Sequence, residues 1–489
     1  MGDHLLVIDE GTTSTRAMLF AFDGRCIASE GAELTQHHPR PGWVEHDAAE
    51  IWRKTLRVTA AMVAQAGGAE RIAGIGIANQ RETVVFWDKL TGEPLAPAIV
   101  WQDRRTAAAC RALAEAGREA LVQARTGLLL DPYFSASKIG WAMREWPALA
   151  AAGERLAVGT VDSWLVWKLT GGLHVTDATN ASRTAFMAVG AGGWDDELID
   201  LFGAPRPALP AIIDCAGRFG ETRAFGGAIP ICGIAGDQQA AAIGQACLTP
   251  GETKGTYGTG AFVLTHAGKV QPASDHRLLA TIAWQLDGAR TFALEGSVFV
   301  AGSLVKWLRD TLGLIADVRE TDALARSVPD NGGVFLVPAL SGLGAPWWQA
   351  EARGAVTGLS FASGKAHVVR AALEAMAYQT GDLKAAFAKD GQDWATLRID
   401  GGMVANNWMA QDLADMLAIP VERPRFAETT ALGAAMLAGV GAGVFADLAD
   451  AASMRGEVET FAPSLGEDER QARLSGWGAA VASVIGRPG

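Results

Sequence analysis

The sequence predicts an α/β protein of two large, related domains facing each other across a nucleotide cleft. Three observations carry this expectation. Strand-like and helix-like segments alternate along the whole chain. The chain has 489 residues, 49% of them hydrophobic, which exceeds the roughly 250–300 residues at which a single core stops growing. Finally, two Gly/Thr turns about half a chain apart, in "VIDEGTTSTRAMLF" (7–20) and "GETKGTYGTGAFVLTHAGK" (251–269), each lie between two apolar runs. Each reads as a hairpin, and a repeated hairpin points to a duplicated domain. The boundary falls at "ACLTPG" (246–251), which gives 1–248 and 249–489.

The elements follow in order. "LLVI" (5–8) reads as a buried strand that delivers Asp9 and Glu10 to the first turn. Residues 47–63 read as a helix, with Asp47 and Glu50 as an N-terminal capping pattern and Gly67-Gly68 as the stop. "IAGIGIA" (72–78) is the next strand. It ends in Asn79-Gln80-Arg81-Glu82, polar residues at a strand's C-terminal end, where α/β proteins place their sites. In "GIAGDQQAAAIGQ" (233–245) a Gly-rich strand end leads through Asp237 into an apolar helix. Later, "LRID" (397–400) is a strand, Gly401-Gly402 a tight turn, 406–419 a helix and "PVERP" a short strand. A Gly-Gly turn lets a flat or anionic ligand approach backbone N–H groups. The apolar run 431–446 is shorter than the ~20 residues of a bilayer span and rich in Gly and Ala, so it reads as a helix buried inside a domain.

Composition excludes several classes. The net charge is −12 with both signs interspersed, unlike a nucleic-acid or anionic-membrane binder, which needs a basic face. The five scattered cysteines (Cys26, Cys110, Cys215, Cys232, Cys247) form no Cys-x-x-Cys and predict reduced, mostly buried thiols. No signal peptide or myristoylation pattern opens the chain, so a cytoplasmic protein without membrane insertion is expected.

Asp9, at a strand end beside hydroxyl-bearing residues, suits Mg²⁺, which takes oxygen ligands and keeps waters; the ordinary alternative is a turn-capping aspartate. Arg81 and Glu82 can donate to and accept from neighbouring hydroxyls while Trp101 and Tyr133 wall a small polyol. Taken singly, each is equally an ion pair or a core aromatic. Asp237 is either a helix N-cap or a general base that takes an alcohol's proton during phosphoryl transfer. "GLSFASGKA" (358–366) has five residues between its glycines and ends in Ala, so it is not a Walker A loop. His37, His38 and His46 match no metal spacing and read as a solvated loop.

Together these pieces resemble the glycerol kinase branch of the FGGY carbohydrate kinase family. The likeness runs through "DEGTTSTR" (9–16), "PGWVEHD" (41–47), "NQRET" (79–83), "IVWQDRRT" (99–106), "TVDSWLVWKLTGG" (160–172) and "TDATNASRT" (176–184). It continues through "GIAGDQQAA" (233–241), "TYGTGAF" (256–262), "GLGAPWW" (342–348) and "DGGMVANN" (400–407). The resemblance implies two actin-like (ribonuclease H-like) ATPase domains with the active site between them, and Mg²⁺ and ATP as cofactors of a glycerol kinase. It matches Arg81, Glu82, Trp101, Tyr133, Asp237 and Phe262 to glycerol contacts. Asp237 becomes the catalytic base, and Asp9 and Asp237 the Mg²⁺ contacts. Thr12, Thr13, Ser14, Arg16 and Thr259 fall on nucleotide-phosphate positions; Gly302, Lys306, Gly402 and Asn406 surround the nucleoside. A homo-oligomer, dimer or tetramer, is expected.

Three positions depart from the family pattern. Glu10 replaces a usual Gln and adds a negative charge beside the phosphate turn, for which Arg16 or a Mg²⁺-bound water would be the compensating partner. Lys306 also replaces a usual Gln. "AFGGAIPICG" (224–233) is shorter than the Arg-containing loop with which some bacterial members bind fructose 1,6-bisphosphate, so that inhibition is expected to be weak or absent. The competing readings are a kinase for another polyol or ketose, such as erythritol or xylulose, and a non-catalytic actin-like nucleotide switch. The first conflicts with the space that Trp101 and Phe262 occupy, and the second leaves the polyol grip unexplained.

Overall fold

The computed structural model describes residues 2–190, 192–349 and 351–485. The first apolar run forms β1 (His4–Glu10), buried from Leu5 onward. A Gly11 N–H to Ser14 carbonyl bond of 2.9 Å closes the turn into β2 (Ser14–Phe20), and β3 (Cys26–Glu33) continues the meander. α1 (Ala48–Ala66) starts at Asp47, whose carboxylate accepts from the Ala49 N–H at 2.9 Å, and ends at Gly67 with φ 93°. The expected capping pattern is only half made. Glu50 does not reach back to the helix start, because Thr35 at 2.9 Å and Lys54 at 2.5 Å take its carboxylate. β4 (Ile72–Asn79) runs parallel to β1. β5 (Ala216–Thr222) and β6 (Ile229–Gly236) complete a six-stranded sheet in the order β5-β6-β4-β1-β2-β3, and α2 (Asp237–Gly244) leaves its edge at the cleft.

The second sheet repeats the central plan. β7 (Thr253–Tyr257) and β8 (Ala261–Gly268) form an antiparallel hairpin. β9 (Leu279–Leu286) and β10 (Ala289–Val298) extend it, and α3 (Gly302–Asp310) follows. The long α4 (Lys365–Lys389) precedes β11 (Leu397–Asp400), α5 (Asn407–Leu417) and β12 (Val421–Pro424). α6 (Thr429–Ala442) and β13 (Val458–Phe461) complete the order β9-β10-β8-β7-β11-β12-β13. In both sheets the first strand, β1 or β7, pairs antiparallel with its hairpin partner on one side and parallel with a later strand on the other.

α6 is the predicted apolar run, buried from Ala431 through Gly439. Although it lies between two strands of the second sheet in sequence, it shares its apolar cluster with β1, β6 and α2 of the first. The approach is close enough to require glycine. A Cβ on Gly433 would stand 1.8 Å from the Ala240 carbonyl oxygen, and one on Gly76 would stand 2.2 Å from that of Ala434. Among the described residues no helix is long and apolar enough to cross a membrane. All five cysteines are free, four of them buried. His37 and His38 are exposed as expected, but His46 is not in a solvated loop. It lies on the two-residue strand Glu45–His46 and is buried, like Val44 two positions before it, and burial pushes its imidazole down to about 4.

Strand alternation also settles Glu10. Across the β1–β2 ladder Asp9 faces Arg16 and Glu10 faces Thr15. Successive side chains leave a strand on opposite faces, so Asp9 and Arg16 share the cleft face while Glu10 turns under α1. There it is fully buried and accepts from the Thr55 hydroxyl at 2.8 Å. The cation expected beside it, Arg16, binds Asp9 instead. Burial pushes the Glu10 carboxyl up to about 8, so it is largely neutral at neutral pH.

Two predictions follow. Gly433→Ala should cost about 1–3 kcal/mol, as overpacking does, and lower the denaturation midpoint; an unchanged midpoint would show that α6 can move off α2. For Glu10, the raised carboxyl contributes stability that is complete below about 4.5 and lost as pH rises through about 8. Glu10→Gln cannot ionise, so its urea midpoint should gain on the parent's as pH climbs from about 5 to about 8. A gap that does not change with pH would mean that Glu10 is already ionised in the folded protein.

Candidate active site

Three strand ends converge on the cleft: β1 brings Asp9, β4 brings Arg81 and Glu82, and β6 leads into Asp237. Asp237 is the first residue of α2, not its N-cap, which is Gly236. Its carboxylate accepts from the Gln238 N–H at 2.7 Å, meets Arg81 Nε at 3.3 Å and keeps 33% of its side-chain surface open. Burial raises its pKa, with Arg81 and Lys254 opposing. The Gly236 N–H just before it is fixed by the Thr179 hydroxyl at 2.8 Å. Glu82 sits at φ 61°, unusual for a side-chain-bearing residue. Strained backbone of this kind gathers at functional sites.

The six residues expected to contact a polyol come together. Arg81 Nη2 reaches the Tyr133 hydroxyl at 3.4 Å. The Trp101 ring lies 5.6 Å from Tyr133 and 6.1 Å from Phe262, both edge-on. These three aromatics line a recess of about 450 Å³ that also includes Thr259. The Trp101 indole N–H donates to the Thr12 hydroxyl at 2.8 Å, tying the aromatic wall to the first hairpin turn. Thr13 and Thr259 stand exposed at the two hairpin tips, and Ser14 is half-buried.

Arg81 and Glu82 do not stand alone as a grip. Glu295, at mid-strand in β10, accepts from Arg81 Nη1 at 2.5 Å through one oxygen and from Arg183 Nη2 at 2.9 Å through the other. Arg183 Nε donates to Glu82 at 2.6 Å. All four side chains are at most 2% exposed. Burial alone would raise Glu295, but Arg183 and Arg81 more than reverse it and leave it below the usual range.

Thr259, Gly302, Lys306, Gly402 and Asn406, expected near a nucleotide, line a mostly apolar cavity of about 540 Å³. The Gly302 N–H donates to the Gly258 carbonyl at 2.8 Å, and a Cβ on Gly302 would stand 2.6 Å from that oxygen. Gly401, at φ 93°, lets the turn pass over the Tyr257 backbone. Lys306 is exposed at the rim. Asn406 caps α5, accepting from the Met409 N–H at 2.9 Å and donating to Thr321 at 3.0 Å. Thr259 lines both this cavity and the aromatic recess, so the two meet at the second hairpin.

Arg16, expected at a phosphate position, faces the cleft with two carboxylate partners. Its guanidinium bridges Asp9 at 2.7 Å and Glu428 at 2.8 Å, because both carboxylates share its cleft face. It lines a further recess of about 790 Å³ with Thr256, Asp400 and Gly401. Burial raises Asp9, and Arg16 partly offsets this. Among the described residues no three His, Cys, Asp or Glu side chains gather to hold a metal. Asp9 and Asp237, two hard oxygen donors each with an arginine partner, fit a Mg²⁺ that arrives with phosphate oxygens and keeps its waters.

Sequence reasoning missed Arg183, Glu295, Glu428 and Lys254. Lys254 is fully buried, donating to Gln238 and, at 2.8 Å, to Thr256. For Glu295 the available signal was a lone charge inside an otherwise apolar strand, "TFALEGSVFV".

Comparison with known proteins agrees with this geometry. Residues 4–244 match the N-terminal domain, and residues 254–442 the C-terminal domain, of the FGGY family of carbohydrate kinases. A glycerol kinase of Rhodospirillum centenum is 53% identical over 490 residues, 98% of each chain. The Plasmodium falciparum glycerol kinase solved with ADP superposes with a TM-score of 0.93 at 33% identity, covering 100% of both chains. A ligand-bound xylulose kinase of Lactobacillus acidophilus shares the fold, with a TM-score of 0.89 at 20% identity over 98% and 97% of the chains. The two-sheet, actin-like architecture, the cleft between the sheets and these full-length matches together place the chain in the FGGY family of carbohydrate kinases.

Proposed function

We propose that the protein transfers the γ-phosphoryl group of ATP to a terminal hydroxyl of glycerol, giving sn-glycerol 3-phosphate and ADP. The observation that carries this reading is the position of Asp237 and Arg81 behind an aromatic recess that meets the nucleotide cavity at Thr259. Trp101, Tyr133 and Phe262 pack the carbon side of the polyol, while Arg81 and Glu82 orient its hydroxyls. Asp237 accepts the proton of the attacking hydroxyl as the new O–P bond forms, and the bond from the γ-phosphorus to the bridging oxygen breaks with its electron pair leaving on ADP. A base acting this way contributes about 10²–10⁴ in rate. The hairpin hydroxyls and N–H groups of Thr12, Thr13, Ser14 and Thr259 hold the phosphates, and positioning supplies most of the remaining acceleration. Asp9 and Asp237 are the residues that would hold Mg²⁺, which neutralises phosphate charge when bound. The halves 1–248 and 249–489 act as polyol-binding and nucleotide-binding units and close to exclude water.

The enzyme is read as cytoplasmic, which suits its free thiols, and as a homo-oligomer, for which the exposed Leu359 and Phe361 support an apolar contact.

The reading is tested by ADP release with glycerol, erythritol and xylulose offered separately. Glycerol should stimulate most; no response to glycerol, or a several-fold preference for a longer substrate, would overturn it. Asp237→Asn should keep the melting temperature and ATP binding while turnover falls by about 10²–10⁴; near-normal turnover would remove Asp237 as the base. Fructose 1,6-bisphosphate should leave turnover unchanged, since residues 223–228 form only a short connection between β5 and β6.

A further inference from the structure

The four buried charges behind the aromatic recess form a closed chain: Arg81 to Glu295, Glu295 to Arg183, and Arg183 to Glu82, which follows Arg81 directly in sequence. Three of the four come from the first half of the chain. Glu295 comes from the second, carried on β10 of the opposing sheet. Its two oxygens go to two different arginines, at 2.5 and 2.9 Å. Gln239 and Tyr133 add only long contacts of 3.4 Å to Arg81, and Asp237 meets it at 3.3 Å. The shortest bond holding the Arg81 guanidinium in place therefore crosses from one half to the other. The Glu82 carboxylate, in turn, is oriented by Arg183 at 2.6 Å, with the guanidinium of Arg183 packed 5.5 Å from the Tyr133 ring centre.

We propose that Glu295 and Arg183 are positioning residues for the polyol. Glu295 holds Arg81, and through Arg183 also Glu82, in the orientation that grips substrate hydroxyls, so that the grip is complete only when the two halves stand as they do here. This rests on the reading of the cleft as a polyol kinase site. Neither residue is placed on the substrate itself. A fixed donor or acceptor raises affinity by avoiding reorientation on binding, so loosening it should weaken polyol binding selectively.

The test uses the full-length enzyme in steady-state kinetics with glycerol and ATP varied in turn. Glu295→Gln keeps the shape and removes the charge; Arg183→Lys keeps the charge and removes the fork that reaches two carboxylates. Each should raise the KM for glycerol about tenfold or more while the KM for ATP stays within about twofold. Glu295→Asp, which restores the charge, should recover part of the loss. A purely structural role would instead lower the active fraction, reducing kcat with both KM values unchanged, and that result would overturn the proposal. So would equal rises in both KM values. If Glu295→Gln does not fold, as judged by circular dichroism and melting, Arg183→Lys decides on the same criteria. Wild-type turnover of glycerol is measured in the same series. Its absence would overturn the kinase reading, whereas its presence with unmoved KM values in the variants would overturn only the role given to Glu295 and Arg183.

Discussion

The cleft depends on a cluster of charges that cannot stand in a protein interior one at a time. Arg81, Glu82, Arg183 and Glu295 are all essentially out of water, and an isolated buried ion is costly enough that a protein usually neutralises it. Here they occur as two arginines and two carboxylates in alternation, each within hydrogen-bond reach of the next. Removing one partner of such an arrangement typically costs about 3–5 kcal/mol, because the others are left uncompensated. This explains why residues so far apart in sequence stay together. Arg81 and Glu295 are separated by 214 positions, and once the two sheets bring them together neither charge can be left without the other.

The same logic governs the first hairpin at smaller scale. Asp9 and Arg16 lie across a ladder and face the cleft, where Arg16 is partly open to solvent. Glu10 and Thr15 lie one step along, on the face covered by α1. One residue of offset thus separates a carboxylate paired with arginine from one that burial holds neutral. The second hairpin uses its alternation in the same way. Lys254 and Thr256 share a face and hydrogen-bond to each other, while Tyr257 turns into the core against Thr380 at 2.8 Å.

Local features of the fold were legible in the sequence. The strand ends, both hairpins, the Gly-Gly turn and the buried glycine-rich helix all follow from apolar periodicity and from where glycine interrupts it. What was not legible is whatever depends on face or on distance. Glu10 was set beside the phosphates because it is adjacent to Asp9 along the chain, whereas in space adjacency along a strand means opposite sides. Glu50 suited a capping pattern by spacing, yet Lys54 one turn on competes for it more strongly. Glu428 and Arg183 carried no local pattern, and Glu295 only a lone charge in an apolar strand. Their partners lie from about a hundred to several hundred positions away, and only the meeting of two sheets brings them into contact.

The placement of Glu295 bears on the chemistry of Asp237 as well as on substrate orientation. Arg81 faces both carboxylates, Glu295 at 2.5 Å and Asp237 at 3.3 Å. An arginine given wholly to Asp237 would draw that carboxylate below the usual range, as Arg81 and Arg183 together do for Glu295. A carboxylate stabilised so strongly is a poor acceptor for an alcohol's proton, since a general base works best with a pKa near the operating pH. By taking the shorter bond, Glu295 draws the guanidinium away and leaves burial as the dominant influence on Asp237, whose pKa is raised. The pairing that makes the buried arginine tolerable is thus also the one that competes with Asp237 for it.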